Sequence, residues 1–504
     1  MLRRRHRTEP EQAPAVDTYD DVPYPGAAFP QTHPDRLATL ARLFGGRPAP
    51  VERCRVLELG CGDGGNLIPM AYALPAATFT GIDLNAAAVG RGRARIEALG
   101  LANVRLDAGD IAALDPRALG RFDHVIAHGV YSWVPDPVRA ALLTLCRACL
   151  ERDGVAFVSF NALPGGHVRR VLRDAARWAV RDVTDPRARI EGARAMLRRL
   201  AEAEPYDGAL GREAGKALEA SDALVYHDLL AETNADRSIA EFAAEAAAAG
   251  LRYLCDAKLD DDGVAAAGAG DRVAREQEQD LLGLRMFRQA LVVRDDARAG
   301  AEPDPRAVAG LHVRSRLRPP RKLRLEGRAV DEFRGPDGGS LRTDHPLVKA
   351  ALVALAEAWP GSLQFEPLAN AAAARLRATR DDATLGAALL AAYRRGAVEL
   401  HAWAPPVAGE AGDRPHASAL AQLQVAAGEP AVTLRHETVR VDDERGRRLL
   451  ALLDGTRDRR ALAEALGLDE RAARELPGRL EQLAALGLLQ TEALSRSYSR
   501  TGGS

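Results

Sequence analysis

Cysteine is scarce in this chain of 504 residues: Cys54, Cys61, Cys146, Cys149 and Cys255, too few and too scattered for a disulfide framework. The one close pair, Cys146 and Cys149, lies in an apolar helical run, ALLTLCRACL. No second pair or matched histidine spacing completes a zinc site, so buried helix cysteines are the reading and no metal is expected. An excess of either charge is also missing. Lys and Arg total 69 against 70 Asp and Glu, a net charge of −1 that gives no global preference for nucleic acid or an anionic membrane. No run reaches the ~18–20 uninterrupted apolar residues of a membrane span. The opening MLRRRHRTEPEQAP has basic residues but no apolar core behind them, so no export is implied and a reducing cytoplasm is expected.

What the chain does have is 47% apolar and 28% charged residues, enough for ordinary cores under a charged surface. At the usual ~100–200 residues per domain, about three domains are expected. A helix over 35–44 precedes a regular alternation. Strands are expected at 54–60, 77–84, 103–110, 122–129 and 154–161, with helices at 66–74, 86–99 and 136–150 between them. Apolar β-branched runs alternating with amphipathic helices predict a parallel sheet covered on both faces, an α/β fold. After Asn161 the turn PGGH (164–167) opens a helical stretch, and strands return at 250–259 and 287–294 behind the helix IAEFAAEAAAA. The sheet therefore pauses, accepts a helical insertion, and finishes with one helix and two strands. The alternative is a separate helical domain from about 165 to 295. The low-complexity GVAAAGAGD (263–271) reads as a loop between the last two strands.

The first strand runs into VLELGCGDGGN, where Gly60, Gly62 and Gly65 satisfy G-x-G-x-x-G and Asp83 follows about 20 residues later. That pattern alone suits a dinucleotide equally well. Charge separates the ligands. A pyrophosphate favours bare backbone N–H groups at a helix N-terminus, whereas here Glu58 ends the strand and Asp63 sits in the loop. A unit charge at 4 Å in an effective dielectric of 20 is worth about 4 kcal/mol, repelling a phosphate and attracting an ammonium or a sulfonium. S-adenosylmethionine carries both cations and no phosphate, so it is expected over NAD. Asp83 would take the ribose hydroxyls. Asp110, ending the third strand, would accept from the adenine amino group beside the Ile111 backbone, unless it only caps a helix.

Taken together, VLELGCGDGGN, GIDLN and AGDI resemble, in order and spacing, the first three motifs of class I S-adenosylmethionine-dependent methyltransferases over roughly residues 50–160. FPQTHPDRLATLARLFG, HGVYSWVPD and LVYHDLLAETN further resemble bacterial methyltransferases with a methyltransferase regulatory domain, a group that includes protein lysine methyltransferases of outer-membrane proteins. The resemblance covers most of the chain. It implies a Rossmann-like sheet and a cofactor set of Glu58, Gly60, Cys61, Gly62, Gly64, Asn66, Asp83, Leu84, Asp110, Ile111, His128 and Gly129. One departure is PGGH, whose second glycine stands where a tryptophan would be expected.

Methyl transfer is a direct displacement, so the protein has to align donor and acceptor and exclude water. Tyr131 and Trp133, after the fourth strand, are the expected residues at the reacting centre, through cation–π attraction of ~0.5–2 kcal/mol; core packing is their plainer reading. If an amine must lose a proton, His227 is the candidate base, with His33 and His167 behind it. Residues 18–33, with Tyr19, Tyr24 and Phe29, read as a lid or a surface arm. The last 200 residues have winged-helix order twice, joined by a loop over 405–415, with a hairpin expected through Gly335–Gly339. Despite the arginines at 314–328, mixed charges favour a partner-docking or substrate-presenting role over nucleic acid.

The expected organisation is a disordered tip (1–16), lid and methyltransferase core (17–167), helical insertion (168–235) and end of the sheet with the regulatory region (236–297). Winged-helix-like modules follow at 298–404 and 416–492, then a disordered tail (493–504). The expected activity is methyl transfer to nitrogen, protein lysine among the acceptors. A small-molecule or peptide methyltransferase of a biosynthetic pathway, or a cofactor-binding protein without turnover, are the alternatives.

Overall fold

Alternate residues of the central strands feed two different cores. Val56, Ile126, Val155 and Phe157 belong to one buried cluster, and Leu57, Leu59, Val125, Ala127, Ala156, Val158 and Phe160 to the other. That two-sided burial is what the unbroken apolar runs require. The computed structural model describes residues 22, 24, 26–203, 208–259, 271–336 and 338–499. The expected N-terminal tip and most of the 263–271 loop lie outside the described residues.

In chain order the core consists of α1 (Pro34–Leu43), β1 (Arg55–Leu59), α2 (Leu67–Ala73), β2 (Thr78–Asp83), α3 (Ala86–Ala98), β3 (Val104–Ala108), β4 (Phe122–Ala127), α4 (Asp136–Cys149) and β5 (Leu150–Asn161). Helices α5 (Gly166–Ala179), α6 (Pro186–Glu202) and α7 (Ala209–Glu219) follow, then α8 (Ile239–Ala248), β6 (Leu251–Asp256), α9 (Arg272–Gly283) and β7 (Phe287–Arg294). The seven strands lie in the order β3-β2-β1-β4-β5-β7-β6, and β7 runs antiparallel to both β5 and β6. Both late strands thus join the one sheet, as the economical reading expects, and the separate-domain alternative fails. The order turns back between β1 and β4, the switch point at which open α/β sheets hold ligands beyond their carboxyl ends.

Two compact units emerge from the chain: residues 168–232 with the N-terminal 25, and residues 26–167 with 233–504. The first has its own core, including Leu172, Ala176, Ile190, Leu197, Tyr226 and Leu229. Arg173 closes its last turn by donating to the carbonyls of Asp228 and Ala231.

The C-terminal third of the second unit opens with β8 (His312–Arg314), the β9–β10 hairpin (Asp331–Arg334, Ser340–Thr343) expected from the glycines, and α10 (Pro346–Ala358). β11 (Leu363–Gln364), α11 (Phe365–Leu376), α12 (Asp382–Arg394) and β12 (Glu399–His401) complete the first module. Its Leu352, Phe365 and Leu389 share a single apolar cluster with Leu37, Leu40 and Ile68 of the sheet's flank. The second module comprises α13 (Ala419–Ala426), β13 (Ala431–Val432), β14 (Thr438–Val439), α14 (Glu444–Leu452), α15 (Arg459–Ala465) and α16 (Glu470–Leu486), with a core of its own. Within the expected tail, α17 (Glu492–Ser499) is helical, with Leu494 buried and its N–H accepted by Thr491, and residues 500–504 lie outside the described residues. Among the described residues no helix is long and apolar enough to cross a membrane.

Candidate active site

The glycine turn is fastened to the end of β2. The amides of Gly60 and Cys61 donate to the Ile82 carbonyl, and Gly62 donates to Asp83 Oδ2 at 2.7 Å. Asp83 Oδ1 accepts from Asn85 N–H at 2.9 Å. Gly60, Gly62 and Gly64 all have positive φ (78°, 56° and 75°), the conformation for which glycine is the ordinary solution. The Cys61 thiol is buried beneath this turn, which pushes its pKa upward.

Glu58 is the most unusual carboxylate in the molecule. It is 3% exposed; Oε1 accepts from Asn66 Nδ2 at 2.7 Å, while Oε2 is buried without a partner among the described residues. Burial pushes its pKa up to about 8, opposed by the Asn66 bond and helped by the nearby Asp83. An orphaned buried carboxylate oxygen is costly, and a cation beside it removes that cost. Asp63 plays a lesser part than its sequence position suggests. Oδ1 accepts from Gly65 N–H at 3.0 Å, and Oδ2 faces Arg95 at 3.7 Å. Glu58 and Asp83 are therefore the carboxylates that favour a cation here.

Further along the strand ends, Leu84 is 73% exposed next to Asp83, an apolar side chain presented to solvent. Asp110 caps a short helical turn, Oδ1 accepting from Ala112 N–H at 2.9 Å; Ile111 beside it is partly buried. His128 and Gly129, after β4, are held together by Ser159, whose Oγ lies 2.9 Å from His128 Nδ1 and accepts from Gly129 N–H at 2.8 Å. Phe29 packs edge-on to the His128 ring at 4.0 Å, with Phe157 and Phe287 beyond it. Burial in this aromatic nest lowers the His128 pKa to about 4, so its ring is neutral at physiological pH.

Of the segment expected as a lid or a surface arm, Gly26 and Phe29 lie against the turn. A Cβ on Gly65 would meet Gly26 Cα at 2.6 Å, so the segment passes in backbone contact, and Phe29 N–H donates to Asn66 Oδ1 at 3.0 Å. Tyr19 lies outside the described residues. Tyr24 belongs to the helical unit.

Tyr131 requires a correction. It is fully buried, its hydroxyl bonded to Glu245 on α8 and its ring packed on Phe160 and Phe242. A ring covered on every side has no face to offer a sulfonium. The tight turn that carries Trp133 N–H back to the Val130 carbonyl directs Tyr131 into the core. Tyr131→Phe should therefore lower stability by about 1 kcal/mol through the lost bond to Glu245, which keeps its ion pair with Arg237, and leave cofactor affinity unchanged; melting curves with parallel calorimetry check this. Trp133 itself is partly buried at the end of the turn.

The candidate bases separate. In the helical unit His227 is buried, its Nε2 2.6 Å from the Val22 carbonyl, which places the ring proton on that nitrogen. Asp228 beside it is raised to about 6 by burial, against the pull of Arg169 and Arg173. His33 is structural: its Nδ1 accepts from Asp35 N–H at 3.1 Å, capping α1, and it stacks on Trp403. His167 is exposed at the start of α5. In PGGH, a Cβ on Gly165 would meet the Leu284 carbonyl at 2.2 Å, and one on Gly166 would meet Asp236 Cγ at 2.8 Å. A tryptophan at 166 would need Asp236 elsewhere.

Thr32, Ser159 and His436 were not singled out from sequence, yet each touches the site. Thr32 was visible only as part of the QTHP segment, and Ser159 as one polar residue in an apolar strand. His436 carries no local signal. Its Nε2 reaches Asn66 Oδ1 at 2.8 Å across 370 positions.

With this geometry in hand, comparison with known proteins is informative. Residues 56–154 match a methyltransferase domain, 221–294 a predicted methyltransferase regulatory domain, and 413–479 the C-terminal winged helix domain of PKMT. An uncharacterized protein of Rickettsia prowazekii, RP789, is 31% identical over 382 residues, covering 72% of this chain and 69% of that protein. A second from the same organism, RP028, is 33% identical over 222 residues, covering 43% of this chain and 88% of its own length. The solved structure of PKMT2 from Rickettsia typhi, in complex with AdoHcy, superposes with a TM-score of 0.80. The match spans 93% of this chain and all of that one at 24% identity, and establishes the shared fold.

Proposed function

The chain belongs to the class I S-adenosylmethionine-dependent methyltransferases that carry a methyltransferase regulatory domain and a PKMT-type winged helix, and on that premise we propose that it methylates an amine nitrogen, with protein lysine as the acceptor class. The cofactor, when bound, supplies a methyl group on a sulfonium. Glu58 would set Oε2 against the cationic methionine end, and Asp83 would take ribose hydroxyls. Leu84 and Ile111 would flank the adenine, with Asp110 accepting from its amino group. Gly129, at φ 69° with nothing within 4 Å of a Cβ position, leaves room for a ligand along the strand end.

Transfer of this kind needs no enzyme nucleophile, only alignment and the exclusion of water. Phe29 and the ring cluster around His128 provide a dry wall; Trp133 would border the acceptor.

The observation that supports the cofactor assignment best is Glu58 Oε2, buried and without a partner among the described residues. The lysine assignment rests on the match of residues 413–479 to the PKMT winged helix. Incubation with a methyl-labelled donor and fractionated lysate, followed by acid hydrolysis, is expected to yield labelled methyl-lysine from protein. Label confined to low-mass compounds would select a small-molecule methyltransferase instead. Retention of the donor with no labelled product would select a binding protein.

A further inference from the structure

The longest-range contact at the site comes from the second C-terminal module. His436 lies between β13 and β14, inside the stretch that matches the PKMT winged helix. It is 2% exposed and held at φ 62°, a conformation that side chains other than Gly, Asn and Asp seldom adopt. Asn66 Oδ1 takes the Phe29 N–H at 3.0 Å, so that atom is an acceptor, and His436 must carry its proton on Nε2, 2.8 Å away. Nδ1 is then bare, and it is buried with no partner among the described residues. The Phe29 and His436 donors on Oδ1, with the Thr32 hydroxyl beside the amide and 3.0 Å from Nδ2, fix the flip of Asn66, which aims Nδ2 at Glu58 Oε1, 2.7 Å distant. Once Glu58 is ionised, as the cofactor cation requires, the opposite flip would set an amide oxygen against a carboxylate.

We propose that His436 is a positioning residue of the cofactor site: through the Asn66 amide, the winged-helix module holds Glu58 aimed at the cationic end of the cofactor. This rests on the S-adenosylmethionine reading above. It makes docking of the module and binding of the cofactor mutually dependent, because whatever shifts β13–β14 releases the amide that orients Glu58.

Two full-length variants separate this from simple packing. His436→Gln keeps an N–H at the ε position, whereas His436→Asn is easier on the backbone at positive φ but too short to reach. Calorimetry with S-adenosylmethionine is expected to show His436→Gln within about twofold of the unaltered chain and His436→Asn about tenfold weaker, the scale of one hydrogen bond in a dry site. A packing role alone predicts the reverse ranking. The proposal is overturned if His436→Asn binds as tightly as the unaltered chain, or if His436→Gln is as weak as His436→Asn. Ring-nitrogen chemical shifts of His436 in the unaltered protein give a test free of any folding defect, with the Nε2–H tautomer expected and the Nδ1–H tautomer excluding the relay. Failure of the unaltered chain to bind S-adenosylmethionine would remove the proposed cofactor and this inference together, and would be seen before any variant is made.

Discussion

Replacing Asp83 by alanine is expected to weaken S-adenosylmethionine binding by at least a hundredfold. Asp83 does two things at once. Its carboxylate accepts from Gly62 N–H at 2.7 Å and from Asn85 N–H at 2.9 Å, which ties the glycine turn to the start of α3. Charge-assisted bonds of this sort contribute about 1.5–3 kcal/mol each, and a hundredfold change requires only about 2.7 kcal/mol. On the proposed assignment the carboxylate would also receive ribose hydroxyls, so the variant would lose both the shaped turn and the direct contact. Asp83→Asn retains one acceptor oxygen and should fall between the two. Calorimetry on a variant shown by circular dichroism to be folded measures the effect. Unchanged affinity in Asp83→Ala would remove the site from the end of β2.

Cofactor affinity is also expected to rise steeply with pH. Glu58 sits near a pKa of about 8 in the unliganded protein, because burial disfavours its charge. It is therefore about one-tenth ionised at pH 7. A ligand cation at ~4 Å favours the carboxylate by about 4 kcal/mol at an effective dielectric of 20, equivalent to about 3 pKa units. Binding thus lowers the Glu58 pKa toward about 5 and expels a proton. The sign follows: below pH 8 the unliganded chain holds a proton that the complex does not, so acid weakens binding. Affinity should fall about fivefold from pH 8 to 7 and about eightfold from 7 to 6, roughly fiftyfold in all. Titrations in two buffers of different ionisation enthalpy should report close to one proton released per ligand at pH 6.5. Asp83 faces the same space from β2 and Cys61 from the turn, so Glu58→Gln is the control, and it should flatten the profile. A profile that stays steep in Glu58→Gln would assign the proton to another group.

The parts of this site that were legible in the sequence are those built by consecutive residues. β1, the turn and Asn66 form one continuous stretch, and Asp83 and Asp110 mark strand ends that hydrophobic alternation locates within a residue or two. Charge type at those ends sufficed to favour a cation over a phosphate. It did not reveal that Asp63 turns toward Arg95, since that depends on where α3 packs. Tyr131 was misjudged for a related reason. An aromatic residue after a strand can face the cleft or the core, and Glu245, 114 positions away, decides between them. β7 is readable as a strand, but its insertion between β5 and β6 follows from pairing rather than from its own residues. His436 is the extreme case: its importance arises only when the chain's last hundred residues fold back onto Asn66.

The apolar cluster that runs without interruption from Leu37 and Ile68 to Leu352, Phe365 and Leu389 has a further consequence. A nucleotide-fold enzyme usually tolerates exchange of its accessory module like a cassette, because polar linkers isolate the parts. Here the first C-terminal module supplies part of the apolar wall on one flank of the sheet. Any change of acceptor preference, whether evolved or engineered, must then arise from point changes on a fixed scaffold rather than from swapping that module for another.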